Sequence, residues 1–211
     1  MSDDVKRVPP EREQARTRLA RHAVVDAARQ LFMEHGYAST TIEAISDRAG
    51  VPQPTLYRLF ANKLGILKVL LDVSIAGDDE PVEVAKRPPV TSLLDEPDPR
   101  RVLAGFAAIT TGINRRTNDV YTVLRLAADS DADAADLFRT LAEQRARGQQ
   151  HIVHALHRSG RLRSGMAAQE ASDIVHALMS PEVYRLLVTD QGWAPERYQQ
   201  WAADTLAQQL L

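Results

Sequence analysis

The sequence predicts an all-α fold. Three observations carry this: apolar residues recur at helical spacing along nearly the whole chain, no stretch of useful length alternates apolar and polar residues, and no hairpin-turn dipeptide separates two strand-like runs. The chain has 211 residues, 44% of them hydrophobic and 26% charged, enough for a folded globular protein with a sizeable core. It contains no Cys, which excludes a disulfide framework, a thiolate nucleophile and a Cys-ligated metal, and fits a reducing compartment. The longest apolar run, from Leu64 to Ala76, is broken by Lys68 and Asp72 and is shorter than a bilayer requires. Asp3, Asp4, Pro9 and Pro10 leave no apolar core for a signal peptide, so no membrane partner and a cytoplasmic location are expected.

In order along the chain, the first helix is drawn from Glu11 to His35, where Val24, Ala27, Ala28, Leu31 and Phe32 form one apolar stripe and Gly36 supplies the stop. A second, short helix follows Thr40, whose spacing to Glu43 is that of a capping box, and ends at Gly50. Pro52 and Pro54 are tolerable only in a first turn, so a third helix starts near Gln53 and runs to Phe60. Asn62 can cap a fourth, Lys63 to Ile75. Residues 77–99, with Gly77, Pro81, Pro88, Pro89, Pro97, Pro99 and the run Asp78-Asp79-Glu80, read as a connector holding at most a short helix at 90–94. Helices are then expected at 100–117, 119–129, 133–159, 167–188 and 195–210, with breaks at Asn118, Asp131, Gly160, Gly165, Gly192 and Pro195. The expected organisation is a head at 1–63, a connecting helix and connector at 64–99, and a larger helical domain at 100–211.

Charge divides along the same line. The whole chain carries −2, but residues 1–70 hold 11 basic and 8 acidic side chains whereas the rest is acidic. Arg12, Arg16, Arg18, Arg21 and Arg29 on the first helix outweigh Glu11, Glu13 and Asp26. A near-neutral total therefore does not exclude a polyanionic partner for the head.

Two short helices joined by a tight turn at Ala49-Gly50-Val51 have the spacing of a helix-turn-helix, whose second helix lies in the DNA major groove. Leu56 and Phe60 anchor that helix, leaving Gln53, Pro54, Thr55, Tyr57 and Arg58 to face outward. Gln suits adenine, Pro and the Thr methyl suit the thymine methyl, and Tyr or Arg reach phosphate or guanine. The same spacing also fits a helical protein-interaction module that does not bind DNA.

The residues Thr40-Thr41-Ile42-Glu43-Ala44-Ile45, then Arg48-Ala49-Gly50-Val51, then Pro54-Thr55-Leu56-Tyr57-x-x-Phe60-x-x-Lys63 resemble the DNA-binding domain of the tetracycline-repressor (TetR) family. The resemblance extends over about residues 20–70, including Ala27-Ala28-x-x-Leu31-Phe32-x-x-x-Gly36-Tyr37. It implies a homodimeric repressor of double-stranded operator DNA, released when a small ligand binds the C-terminal domain. By matching position it implies phosphate contacts for Thr41 and Lys63, a backbone or base-edge contact for Tyr57, and groove positions for Gln53 and Pro54. Pro52 stands where most members have a Ser-like cap and Pro54 where Gly is common, so the operator sequence does not carry over.

Within 100–211, Phe106, Ile109, Ile113, Tyr121, Leu124, Phe138 and Leu141 are candidate walls of an effector site, and each also fits ordinary core. No charge stands out among them, so an apolar or neutral effector is expected. Ile174 and Leu178 on one helix and Tyr198, Trp201 and Leu206 on the last form stripes suited to a dimer interface, or to closing the domain's own core. His151, His154 and His157 fan over about 120° of a helix, too widely for one metal ion. Gly-rich phosphate loops, nucleophile elbows and zinc-hydrolase motifs are all missing, so neither a catalytic site, a metal nor a cofactor is expected.

Overall fold

The computed structural model describes residues 11–77 and 84–211. The first ten residues, the run Asp78-Asp79-Glu80 with Pro81, and the side chains of Glu11 and Arg12 lie outside the described residues. Among the described residues the regular structure is all helical, as the periodicity predicts. The chain divides into two compact units, Met1–Leu70 and Leu71–Leu211.

In the first unit, α1 (Glu11–Ser39) is interrupted at Gly36, whose φ of 76° and ψ of 169° turn the chain where the sequence places the stop. Then come α2 (Ile42–Ala49), α3 (Gln53–Phe60) and α4 (Lys63–Ala76), which begins in this unit. Val24, Ala28 and Phe32 of α1, Ile45 of α2, Leu56 and Phe60 of α3, and Ile66 and Leu67 of α4 are among its buried apolar residues. The α1 stripe and the two anchors of α3 fall where the periodicity places them.

In the second unit a 3-10 turn (Val84–Lys86) and α5 (Pro88–Leu94) precede α6 (Pro99–Ala128). The chain then runs through α7 (Ala132–Arg158), α8 (Ala168–Leu178), α9 (Pro181–Tyr184) with a π-helical turn at Arg185–Asp190, and α10 (Pro195–Leu210). The core gathers Leu103 and Phe106 of α6, Ile152 and Leu156 of α7, Val175 of α8, and Tyr198, Ala202 and Leu206 of α10. Because α5 packs on α6, the segment expected to be a connector is partly built into this unit.

Two boundaries differ from expectation. Asn118 does not stop α6, since an Asn inside a helix costs well under about 1 kcal/mol and here donates to Thr189 Oγ1 at 3.3 Å. Conversely, the single helix expected at 167–188 is broken at Ser180-Pro181. Proline forces the residue before it out of the helical region, and Ser180 sits at φ −70°, ψ 149°. Its Oγ then accepts from Val183 N at 3.1 Å and restarts the helix.

Candidate nucleic-acid interface

The α2–turn–α3 segment is held by short-range bonds. Thr41, in extended backbone, caps α2 by accepting from Ala44 N at 3.1 Å. The cap is therefore one residue later than the capping-box spacing indicates. Thr40 turns inward instead, nearly fully buried, and its hydroxyl lies 2.8 Å from Gly36 O and 3.2 Å from Leu31 O. Gly50 ends α2 in the left-handed region at φ 64°, ψ 27°, where a residue with a Cβ is strained. Ser46 Oγ closes the turn by donating to Val51 O at 2.7 Å.

Helix α3 starts at Pro52 with no side-chain cap, as the sequence implies. Leu56 and Phe60 face the core, Pro54 and Arg58 are exposed, Gln53 and Thr55 are half-buried, and Tyr57 keeps 51% of its surface accessible. The outward side of α3 thus presents an aromatic ring beside the Arg58 guanidinium and the Pro54 ring. Exposed Thr41 lies at the start of α2 with its hydroxyl hydrogen available to an outside acceptor.

Lys63 is also engaged within its own unit. Its ammonium donates to Tyr37 O at 2.7 Å and Thr40 O at 2.8 Å, and lies 4.2 Å from the centre of the Tyr37 ring. An ammonium has three donors, and two of them meet carbonyls left over where α1 ends. In the chain by itself Lys63 thus braces α4 against the α1–α2 turn. Next to it, a Cβ on Gly65 would stand 1.9 Å from Phe60 O, so only glycine lets α4 approach the end of α3 this closely. Arg48 of α2 donates to both carboxylate oxygens of Glu34 on α1, at 2.9 and 2.8 Å, fixing α2 from its other side.

Of the wall candidates in the second unit, Tyr121 and Phe138 meet with ring centres 5.2 Å apart. Leu124 and Leu141 are buried, Ile109 and Ile113 are half-buried, and Phe106 belongs to the cluster around α10. Of the interface candidates, Tyr198 and Leu206 are 0% exposed within their own chain, so they close its core and offer a second copy no surface. The Tyr198 hydroxyl donates to Leu178 O at 3.0 Å. Ile174, Leu178 and Trp201 remain half-buried and keep some apolar surface.

A partly buried polar group, centred on buried Gln149, is not legible in the sequence. Arg145 and Gln149 of α7, His176 of α8, Glu182 of α9 and Tyr121 of α6 are joined by contacts of 2.9 to 3.6 Å. Burial, with Glu182 beside it, pushes the Tyr121 phenol up to about 12, so it stays a neutral donor. The available signal was a stripe fault: on α7 the buried positions Leu141, Ile152 and Leu156 share a face with Arg145 and Gln149.

Residues 24–70 match the model of the bacterial regulatory proteins, tetR family. Over 52 residues the chain is 40% identical to the HTH-type transcriptional repressor ComR of Escherichia coli K12, a stretch covering 25% of this chain and 25% of ComR. It is 25% identical over 190 residues to the HTH-type transcriptional repressor BepR of Brucella suis, covering 86% of this chain and 87% of BepR. Among solved structures, NalD, the secondary repressor of the MexAB-OprM multidrug efflux pump in Pseudomonas aeruginosa, superposes with a TM-score of 0.71 at 20% identity, over 92% of this chain and 98% of NalD. FadR of Bacillus subtilis, solved with stearoyl-CoA, gives 0.67 at 17% identity over 88% and 96%. At these identities the structural likeness is one of fold. The match to the tetR family of bacterial regulatory proteins is carried by residues 24–70, and over the rest of the chain the likeness is one of fold.

Proposed function

We propose that the chain is a ligand-responsive, DNA-binding transcriptional regulator: a cytoplasmic homodimeric repressor that leaves operator DNA when a small molecule binds its second unit. The observation that carries the reading is the outward face of α3, where exposed Tyr57, Arg58 and Pro54 stand beside half-buried Gln53 and Thr55 on a helix anchored from behind by Leu56 and Phe60. Thr41, capping α2 at the same turn, adds a hydroxyl for a phosphate oxygen. The repressor sense is supported by the kinds of protein the chain resembles, ComR and BepR among them.

Two copies are what a twofold-symmetric operator requires, with reading heads roughly 34–36 Å apart. Ile174, Leu178 and Trp201 offer apolar surface for that pairing, while Tyr198 and Leu206 support it from within the core. Release follows from linkage: a ligand favouring one state of the dimer and DNA favouring the other oppose each other by the same free energy. No enzymatic step belongs to this reading.

The test is a gel shift of the purified full-length protein on the DNA upstream of its own gene, with and without competitor DNA. Specific retardation that Tyr57→Ala and Arg58→Ala each weaken roughly tenfold, without lowering the unfolding temperature, is expected. Equal affinity of both variants and the unaltered protein for that DNA refutes the assignment of α3.

A further inference from the structure

The donors and acceptors of the partly buried polar group in the second unit constrain one another. Arg145 can only donate, so at the 3.4 Å contact between Arg145 Nη2 and His176 Nε2 the imidazole nitrogen must accept. His176 therefore carries its proton on Nδ1, and that nitrogen must be the donor in the 2.9 Å bond to Gln149 Oε1. The amide orientation follows as well: Gln149 shows its oxygen to His176 and turns its NH2 away. Tyr121 completes the group by donating to Glu182 Oε1 at 3.4 Å.

This arrangement leaves donors over. Gln149, only 5% exposed, has no partner for Nε2, and Arg145 has none for Nε. Arg145 Nη1 also makes no hydrogen bond, its nearest carboxylate oxygen, on half-exposed Glu182, standing 3.6 Å away. Thr111 Oγ1 on α6 is buried and unpartnered too. Taking the Tyr121–Phe138 contact as the register of the antiparallel α6–α7 pair, Thr111 lies ten residues along α6 and Gln149 eleven along α7. Both are then about 15 Å from that contact and at the same level of the unit. Burying an unsatisfied donor is costly, and burying several around one guanidinium is not a way to build a core. Glu182 pairs with the guanidinium from 3.6 Å, and what Arg145 Nε and Gln149 Nε2 still lack is an acceptor within hydrogen-bond distance.

We infer that this cluster is the binding site for a small-molecule carboxylate, its anion received by the free donors of Arg145 and Gln149 between α6, α7 and α8. This names the chemical class of the effector in the proposed function and rests on that reading. It also replaces the neutral or apolar effector that the sequence leads one to expect, because the deciding charge sits on α7 outside the apolar candidates.

The experiment follows thermal unfolding of the full-length protein with benzoate and octanoate as probes, against benzamide and octanamide as their uncharged counterparts. Probes of about ten non-hydrogen atoms bind in the millimolar range, so titration extends to tens of millimolar at constant ionic strength. At least one acid is expected to raise the unfolding temperature saturably, with its amide at least tenfold weaker and Arg145→Met abolishing the shift. Should the Arg145→Met protein fail to fold, Gln149→Glu decides. It keeps the oxygen that meets His176 and supplies from the chain itself the acceptor the site lacks, so the free variant unfolds at a higher temperature and ignores the acids.

Equal response to acid and amide, no saturable response to either acid, or a Gln149→Glu protein that still responds overturns the inference. The readout is independent of DNA. A chain that binds carboxylate but no DNA keeps this site and retires the regulator reading, and one that binds DNA but no carboxylate does the reverse.

Discussion

Replacing Lys63 by Met separates a structural brace from a DNA contact. The substitution keeps the apolar stem and removes the ammonium, leaving Tyr37 O and Thr40 O without the donor that now reaches them at 2.7 and 2.8 Å. Hydrogen bonds from a charged donor contribute about 1.5–3 kcal/mol each, with the low end apt for a half-buried site. The contact with the Tyr37 ring, at 4.2 Å, adds roughly 0.5 kcal/mol. Together the loss is about 3.5 kcal/mol, or roughly 7–14 °C in unfolding temperature for a chain of this size. The paired assay is DNA affinity as a function of salt. A brace leaves the slope of log K against log salt unchanged, whereas a phosphate contact takes nearly one unit from it per copy. An unfolding temperature within about 1 °C of the original, together with a shallower salt slope, would refute the reasoning and return Lys63 to the interface.

Other outcomes follow from the same geometry. Gly65→Ala should destabilise the protein by about 3 kcal/mol or more in denaturant titration, because its Cβ would fall 1.9 Å from the backbone oxygen of Phe60, which cannot move aside cheaply. Arg116 of α6 donates to Ser74 O and Ile75 O, both at 3.1 Å, at the end of α4. Arg116→Ala should therefore speed hydrogen exchange in the last turn of α4 and cost about 1 kcal/mol. Burial first, and the Arg145 cation second, hold the pKa of His176 below its ordinary 6.5, with Glu182 and Asp173 opposing. The unfolded chain then takes up a proton before the folded one does. Stability should fall as pH drops below 6.5 and level off below the lowered value, a component that His176→Gln removes from the pH profile of the unfolding temperature.

The head was legible because its signals are local. Gly50 meets the left-handed turn where the sequence places it, and Pro52 and Pro54 sit in the one helical turn that tolerates them. What local chemistry could not decide was which of two adjacent threonines caps α2. Either can accept from α2, and the choice falls to Thr41 because Thr40 is drawn inward toward Leu31 O and Gly36 O, partners set by tertiary packing. The same limit applies to Lys63, whose partners lie 23 to 26 residues earlier. In the second unit, Pro181 carried a helix break that a continuous apolar stripe obscured. The stripe containing Tyr198 and Leu206 was itself ambiguous, since a dimer face and a domain core share one periodicity. Arg145 and Gln149 were hidden because two polar residues on a buried face look like noise until their unspent donors are seen together.

The most direct test of the central claim is the salt dependence of binding to the DNA upstream of the gene, measured by fluorescence anisotropy on the full-length protein. A dimer reading two half-sites with Thr41, Tyr57 and Arg58 should bind specifically, with log K falling steeply and linearly against log salt, and Tyr57→Ala and Arg58→Ala should lower the affinity. Binding insensitive to salt and to both substitutions, or no binding above that to unrelated DNA, would contradict it.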